Sequence, residues 1–219
     1  MARPVIFTKI LTTADADGIS TSQTPGAAGN LTITGALATA GVATMDTQRR
    51  VLITCAGNDV ARTFTIYGTT GEGVAIIETM LGSNATTTQS LLDFKTVTRV
   101  AVDAATAGAI TVGTSGVGST KWWKPNRHIS PFYVSLFLDV TGTVNVDVEY
   151  TGDDPDVGPM LAASNAVIPT VFDHGTLAAK TADAVDNFNG PCRGMRLTMN
   201  SGDGTAKLTM IQAGIAGGD

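Results

Sequence analysis

The sequence predicts an all-β protein: an antiparallel β-sandwich, jelly-roll-like, made of two duplicated halves of paired hairpins and preceded by an extended N-terminal arm. Three observations predict it. Thr, Ala and Gly make up 87 of the 219 residues, 34 of them Thr, a bias toward strands and tight turns over amphipathic helices. Apolar and polar residues alternate at period two, most plainly where Val144, Val146, Val148 and Tyr150 interleave with Asn145, Asp147 and Glu149. That pattern puts one face in a core and the other in water. Helical periodicity is missing throughout, and Leu177–Val185 is read as one or two helical turns at most. A chain of 219 residues and 22.4 kDa is long enough for one large β domain or two small ones with a proper core.

The elements follow in order. Residues 12–47 are small, polar and nearly uncharged. They read either as a flexible leader or as an arm that orders by lying against a neighbouring subunit, and residues 1–47 are taken as the arm. From Gln48 the chain reads as four hairpins. The first pairs Val51–Cys55 with Ala61–Tyr67. The second spans Val97–Val112, turning at 104–108. The third spans Phe132–Tyr150, turning at Thr141-Gly142. The fourth spans Met195–Gln212, turning at 200–204. Ala85–Phe94 precedes the second and Ala179–Phe188 the fourth, and each Phe is followed at the same spacing by an Arg, Arg99 or Arg193. This suggests an internal duplication of residues 48–118 and 129–214. The domains expected are 48–120 and 121–219, forming one composite sandwich or two in tandem, with a Gly-, Ser- and Pro-rich joint at 113–126.

Charge and composition narrow the function. Charged residues are 15%, against roughly 25% in ordinary domains. With 14 basic and 19 acidic residues and a net charge of −5, no Lys/Arg surface dense enough for a phosphate backbone is expected, hence no nucleic-acid partner. No apolar run is long enough for a membrane span, and MARPVIFTKIL is not a signal peptide. Synthesis in a cytosol without membrane attachment is therefore expected. Cys55 and Cys192, with no CxxC, are read as reduced, small apolar residues rather than a disulfide.

Catalytic and cofactor motifs do not assemble. Gly113-Thr-Ser-Gly-Val-Gly118-Ser-Thr-Lys121 imitates a P-loop, but Ser119 stands where the lysine belongs and Trp122-Trp123-Lys124-Pro125 follows instead of a helix. His128 and His174 are the only histidines. No GxSxG elbow surrounds a Ser, and the two histidines with Cys192 lack every short zinc spacing. Asp15-Ala-Asp17 and Asp153-Asp154-Pro-Asp156 offer loop carboxylates for calcium, but neither completes an EF-hand. The sequons at Asn30 and Asn84 carry no weight without export. No catalytic residue, cofactor or metal ligand is predicted.

Lys121-Trp122-Trp123-Lys124-Pro125-Asn126-Arg127-His128 is the one chemically distinct segment. It concentrates both tryptophans with Lys124 and Arg127, residue types favoured as interface anchors. Trp122, Trp123, Lys124 and Arg127 are the candidate contact residues. The alternatives are a core-capping plug and a platform on which a host glycan stacks.

Residues 29–54, GNLTITGALATAGVATMDTQRRVLIT, resemble openings of tailed-bacteriophage virion proteins. So do Thr63–Glu72, Glu78–Gly82 and Asp93–Thr98. The resemblance covers most of residues 29–118 and, more loosely, the closing hairpin. It implies a non-enzymatic virion subunit: a neck or tail adaptor or fibre-associated protein, with a capsid decoration protein as the alternative. It further implies a homo-oligomer, a trimer being one such order, that contacts portal or adaptor, tail, fibre or capsid proteins. Location in the virion after synthesis in the bacterial cytoplasm follows, and no catalytic residue is carried over.

Overall fold

The computed structural model describes residues 5–11, 14–155 and 169–216, and every regular element among them is a β-strand. These residues divide into two compact units, one of residues 14–118 and one of 5–11, 119–155 and 169–216.

β1 (Val5–Leu11) belongs to the second unit. The first unit carries β2 (Ser20–Gln23), β3 (Gly29–Leu31), β4 (Ala38–Thr39), β5 (Val42–Cys55), β6 (Thr63–Thr69), β7 (Ala75–Leu81), β8 (Thr87–Val102) and β9 (Ile110–Ser119). Its strand order is β9-β5-β8-β6-β7, with β2 on β9, β3 on β8 and β4 on β5. The long β8 organises it. Positions 87–97 pair antiparallel with β5 on one side, and positions 96–102 pair with β6 on the other. Between Thr44 and Arg49 the β5 register slips against β8, and such bulges bend a sheet. The inward side chains of the strands, Met45, Ile53, Phe64, Ile66, Phe94 and Ile110 among them, form a single core. The slipped stretch carries buried polar residues. Arg49, 1% exposed, is held by Asp46 at 3.1 and 3.2 Å, and Gln48 Oε1 accepts the Gly71 N–H at 2.7 Å.

The second unit is a two-sheet sandwich. Its remaining strands are β10 (Ile129–Thr141), β11 (Val144–Thr151), β12 (Phe172–Asp173), β13 (Ala184–Phe188), β14 (Gly194–Gly202) and β15 (Thr205–Ala216). One sheet has the order β1-β15-β10-β13; in the other, β11 lies between β12 and β14. Leu136, Leu138, Leu208 and Met210 from the first sheet meet Val146, Val148, Leu197 and Met199 from the second, all 0–1% exposed.

The all-β sandwich matches the sequence reading, and the alternating run at 144–150 does send its valines inward. The pairings differ. None of the four expected hairpins pairs its own two strands: β5 pairs β8, β6 pairs β7 and β8, β10 pairs β15, and β11 pairs β14. The turns at 141–143 and 202–204 are corners where the chain leaves one sheet for the other. They bond to each other, since the Thr143 carbonyl accepts N–H groups of Asp203 and Gly204 at 3.0 and 2.9 Å. A period of two fixes which face is buried, not which strand lies alongside.

Three further expectations change. Residues 14–47 do not form a separate extended arm: Ile19, Leu31, Ile33, Ala43 and Met45 lie in the core of the first unit, at most 9% exposed. The Gly-rich run from 113 is strand β9 as far as Ser119 rather than an irregular linker, and the two units divide inside the expected joint, at 118/119. The glycines of the run admit close neighbours, for a Cβ on Gly113 would sit 2.2 Å from the Ala16 backbone and one on Gly118 2.6 Å from the Gln48 carbonyl. Leu177–Val185 is not helical: Lys180 bridges to Val146, and β13 begins at Ala184.

Candidate functional site

The Trp-Trp segment runs antiparallel along β14. Thr120 N–H donates to the Leu197 carbonyl at 2.8 Å, and Trp123 and Met195 exchange N–H···O bonds of 2.8 Å in both directions. Farther on, the buried Gln212 holds Asn126 by both amide ends, accepting its N–H at 2.8 Å and donating to its carbonyl at 2.9 Å. Asn126 Oδ1 in turn accepts the His128 N–H at 3.0 Å.

This fastening turns the indoles inward. Trp122 and Trp123 are each 7% exposed, and Trp123 belongs to the core of the second unit. The Arg196 guanidinium lies 4.5 Å from the ring centre of Trp122, within range of a cation–π attraction. Arg196 is itself fixed by Glu149 (Nε to Oε2, 2.6 Å) and by Ser119 (Nη1 to Oγ, 3.2 Å). Lys121, Lys124, Arg127 and His128 point outward. The four predicted contact residues thus part company: two anchor the segment and two are displayed by it. A sugar stacks on an open indole face, and these faces are covered. The surface offered is a local cluster of cations on a chain of net charge −5.

Sequence reasoning missed Arg196, Glu149 and Gln212. The signal for the first two lay in the alternation, since Glu149 and Arg196 are outward-facing residues directly opposite each other in the β11–β14 register. Nothing local in the sequence pointed to Gln212.

The loop carboxylates serve the backbone and a neighbouring guanidinium. Asp15 Oδ1 accepts the Asp17 N–H at 3.3 Å, Asp153 accepts the Thr170 N–H at 2.7 Å, and Asp154 pairs with Arg193 at 2.6 Å. Asp156 lies outside the described residues. Among the described residues, Asp147, Glu149 and Asp173 bring carboxylate oxygens within 4.8 Å of one another. Asp147 is occupied by the Ala179 N–H and by Asn200, and Glu149 by Arg196. His174 is buried, its Nε2 3.2 Å from the Asn187 carbonyl and its Nδ1 3.9 Å from Asp186. Cys55 and Cys192 are buried free thiols. Burial raises the Cys192 pKa from 9.0 to about 11, only partly offset by the Gly194 backbone, so it stays an unreactive thiol near neutrality.

Comparison with protein-family models and with curated protein sequences finds no match to this chain.

Proposed function

We propose that the chain is a non-enzymatic structural subunit of a tailed-bacteriophage virion, a neck or tail adaptor or fibre-associated protein acting in particle assembly. The observation that carries this reading is the likeness of residues 29–118 to virion proteins, in GNLTITGALATAGVATMDTQRRVLIT and the runs at 63–72, 78–82 and 93–98. Residues 29–118 fall within the unit of residues 14–118. The partners proposed are further copies of the chain and portal or adaptor, tail, fibre or capsid proteins.

Surface chemistry supports contact rather than catalysis. Leu81 and Leu91 are 62% and 73% exposed on the first unit, and Val185, 66% exposed, stands opposite Phe137 on the second. Apolar side chains displayed on sheets suit repeated protein contacts, and the cations at Lys124 and Arg127 suit an acidic partner surface. A capsid decoration protein is the alternative, favoured by the same exposed side chains.

The test is deletion of the gene from the phage that encodes this chain, with complementation in trans. Filled heads without tails or fibres support the adaptor reading. Complete particles with weakened capsids support decoration. Normal, fully infectious particles overturn both.

A further inference from the structure

We propose that Asn189 is a site of self-catalysed deamidation. The fold leaves Asn189-Gly190 able to close into a succinimide and restrains the two Asp-Gly pairs, Asp17-Gly18 and Asp203-Gly204, from the same ring closure. The inference goes beyond the structural reading above and does not depend on the virion role.

The reaction needs the backbone nitrogen after an Asn or Asp to reach the carbonyl carbon of that side chain. Glycine permits the approach, since it has no Cβ in the way and a permissive backbone. The sequence places Gly directly after Asn or Asp at 17–18, 189–190 and 203–204. At Asn189 the Gly190 nitrogen bonds to Cγ, the Cγ–NH2 bond breaks, and ammonia leaves with the Gly190 proton. Water then opens the succinimide at one carbonyl or the other, which leaves aspartate or isoaspartate. No oxidant or cofactor enters. The new carboxyl is ionised at neutral pH, so the product is one charge more negative than the −5 of the chain.

Hydrogen bonding separates the three pairs. The Gly18 N–H donates to the Asp15 carbonyl at 3.4 Å and the Gly204 N–H to the Thr143 carbonyl at 2.9 Å. A nitrogen held in this way must first break its bond and turn. Among the described residues, neither the Gly190 N–H nor the Asn189 side chain has a hydrogen-bond partner. Asn189 is exposed and lies just past the last residue of β13, outside any ladder. The chain is fixed on both sides of the pair. The Phe188 ring packs against Tyr150 and Phe132, with centroids 4.8 and 6.5 Å away, and Cys192 is 4% exposed. The modification therefore falls in a short link between two anchors, where a change of backbone is best tolerated.

The test incubates the full-length folded protein in warm, mildly alkaline buffer and follows the tryptic peptide of residues 181–193 by mass spectrometry. Conversion at Asn189 should outrun that at Asn187, in the same peptide, by roughly tenfold or more. Gly190→Ala should slow it by a similar factor. A Cβ there meets nothing nearer than the Phe188 ring at 3.9 Å, so this variant keeps the fold. Asp203→Asn places the same dipeptide at the restrained corner. Its new amide should lag behind Asn189 in the folded chain and catch up when the protein is unfolded in urea. Equal rates at the two positions in the folded chain would overturn the restraint by Thr143. An Asn189 that converts in urea but not in the folded protein would overturn the site itself.

Discussion

Ala85 and Ala179 share a left-handed backbone, with φ of 49° and 51°. Each begins one of the two similar stretches, Ala85–Phe94 and Ala179–Phe188, and each has its N–H taken, by the Gly57 carbonyl at 2.8 Å and by Asp147 at 2.5 Å. The strands after them pair differently: β8 with β3, β5 and β6, β13 with β10 alone among the described residues. A side chain at positive φ is strained, and glycine removes that strain. Both alanines are exposed, so nothing is lost in packing. Ala85→Gly and Ala179→Gly should each raise stability by about 0.5–1 kcal/mol, read as a higher urea midpoint. A lower midpoint for both would contradict the backbone geometry.

The glycines of the 202–204 corner should tolerate a side chain poorly. A Cβ on Gly202 (φ 120°) would sit 2.3 Å from the Thr143 carbonyl oxygen, and one on Gly204 2.4 Å from that of Thr141. Gly202→Ala and Gly204→Ala should each cost about 2–4 kcal/mol in equilibrium unfolding. Gly152, with open space around it, is the comparison, and Gly152→Ala should change stability by less than about 0.5 kcal/mol. Equal effects at the three sites would sink the corner assignment.

The Trp-Trp segment separates a folding role from a contact role. Trp122→Ala and Trp123→Ala empty buried space beside Arg196 and Met195 and should cost about 3–5 kcal/mol. Lys124→Glu and Arg127→Glu alter exposed charge, and Arg127→Glu should leave stability within about 0.5 kcal/mol. They should weaken binding to an acidic partner, more at low salt than at high. Thermal unfolding and salt-dependent pull-down check the two halves. Charge reversals that leave association untouched at every salt concentration would remove the contact role.

Cys192 gives stability an alkaline limb. The unfolded thiol ionises near 9.0 and the folded one near 11, so between those values the unfolded state binds fewer protons. The contribution is intact below pH 9 and is lost as pH rises toward 11. Cys192→Ala should unfold more easily at neutral pH but lose less stability than the native chain between about pH 8 and pH 10.5. Parallel urea titrations decide it, and identical slopes would mean the thiol is not desolvated.

Much of the fold was legible because a two-residue period is a local property. The inward valines at 144, 146 and 148 and the turns at 141–143 and 200–204 could be read directly. Pairing was not legible, because whether Gly142 turns the chain within a sheet or between two depends on Thr143 bonding to Gly204, residues far apart in sequence. Residues 14–47 misled for a related reason: Ile19 and Ile33 stand singly among small polar residues, and only partners such as Ile110 and Val112 make them core. At the candidate site the segment was visible by its composition. Its inward indoles were not, since they follow from Trp123 bridging to Met195 and from Gln212 clasping Asn126.

The most direct test of the central claim is quantification of this chain in gradient-purified particles of the phage that encodes it. The account predicts a stoichiometric virion component, at about a dozen to a few dozen copies for a neck, tail or fibre position, with hundreds pointing to capsid decoration. A chain abundant in the infected cell and absent from finished particles would contradict it.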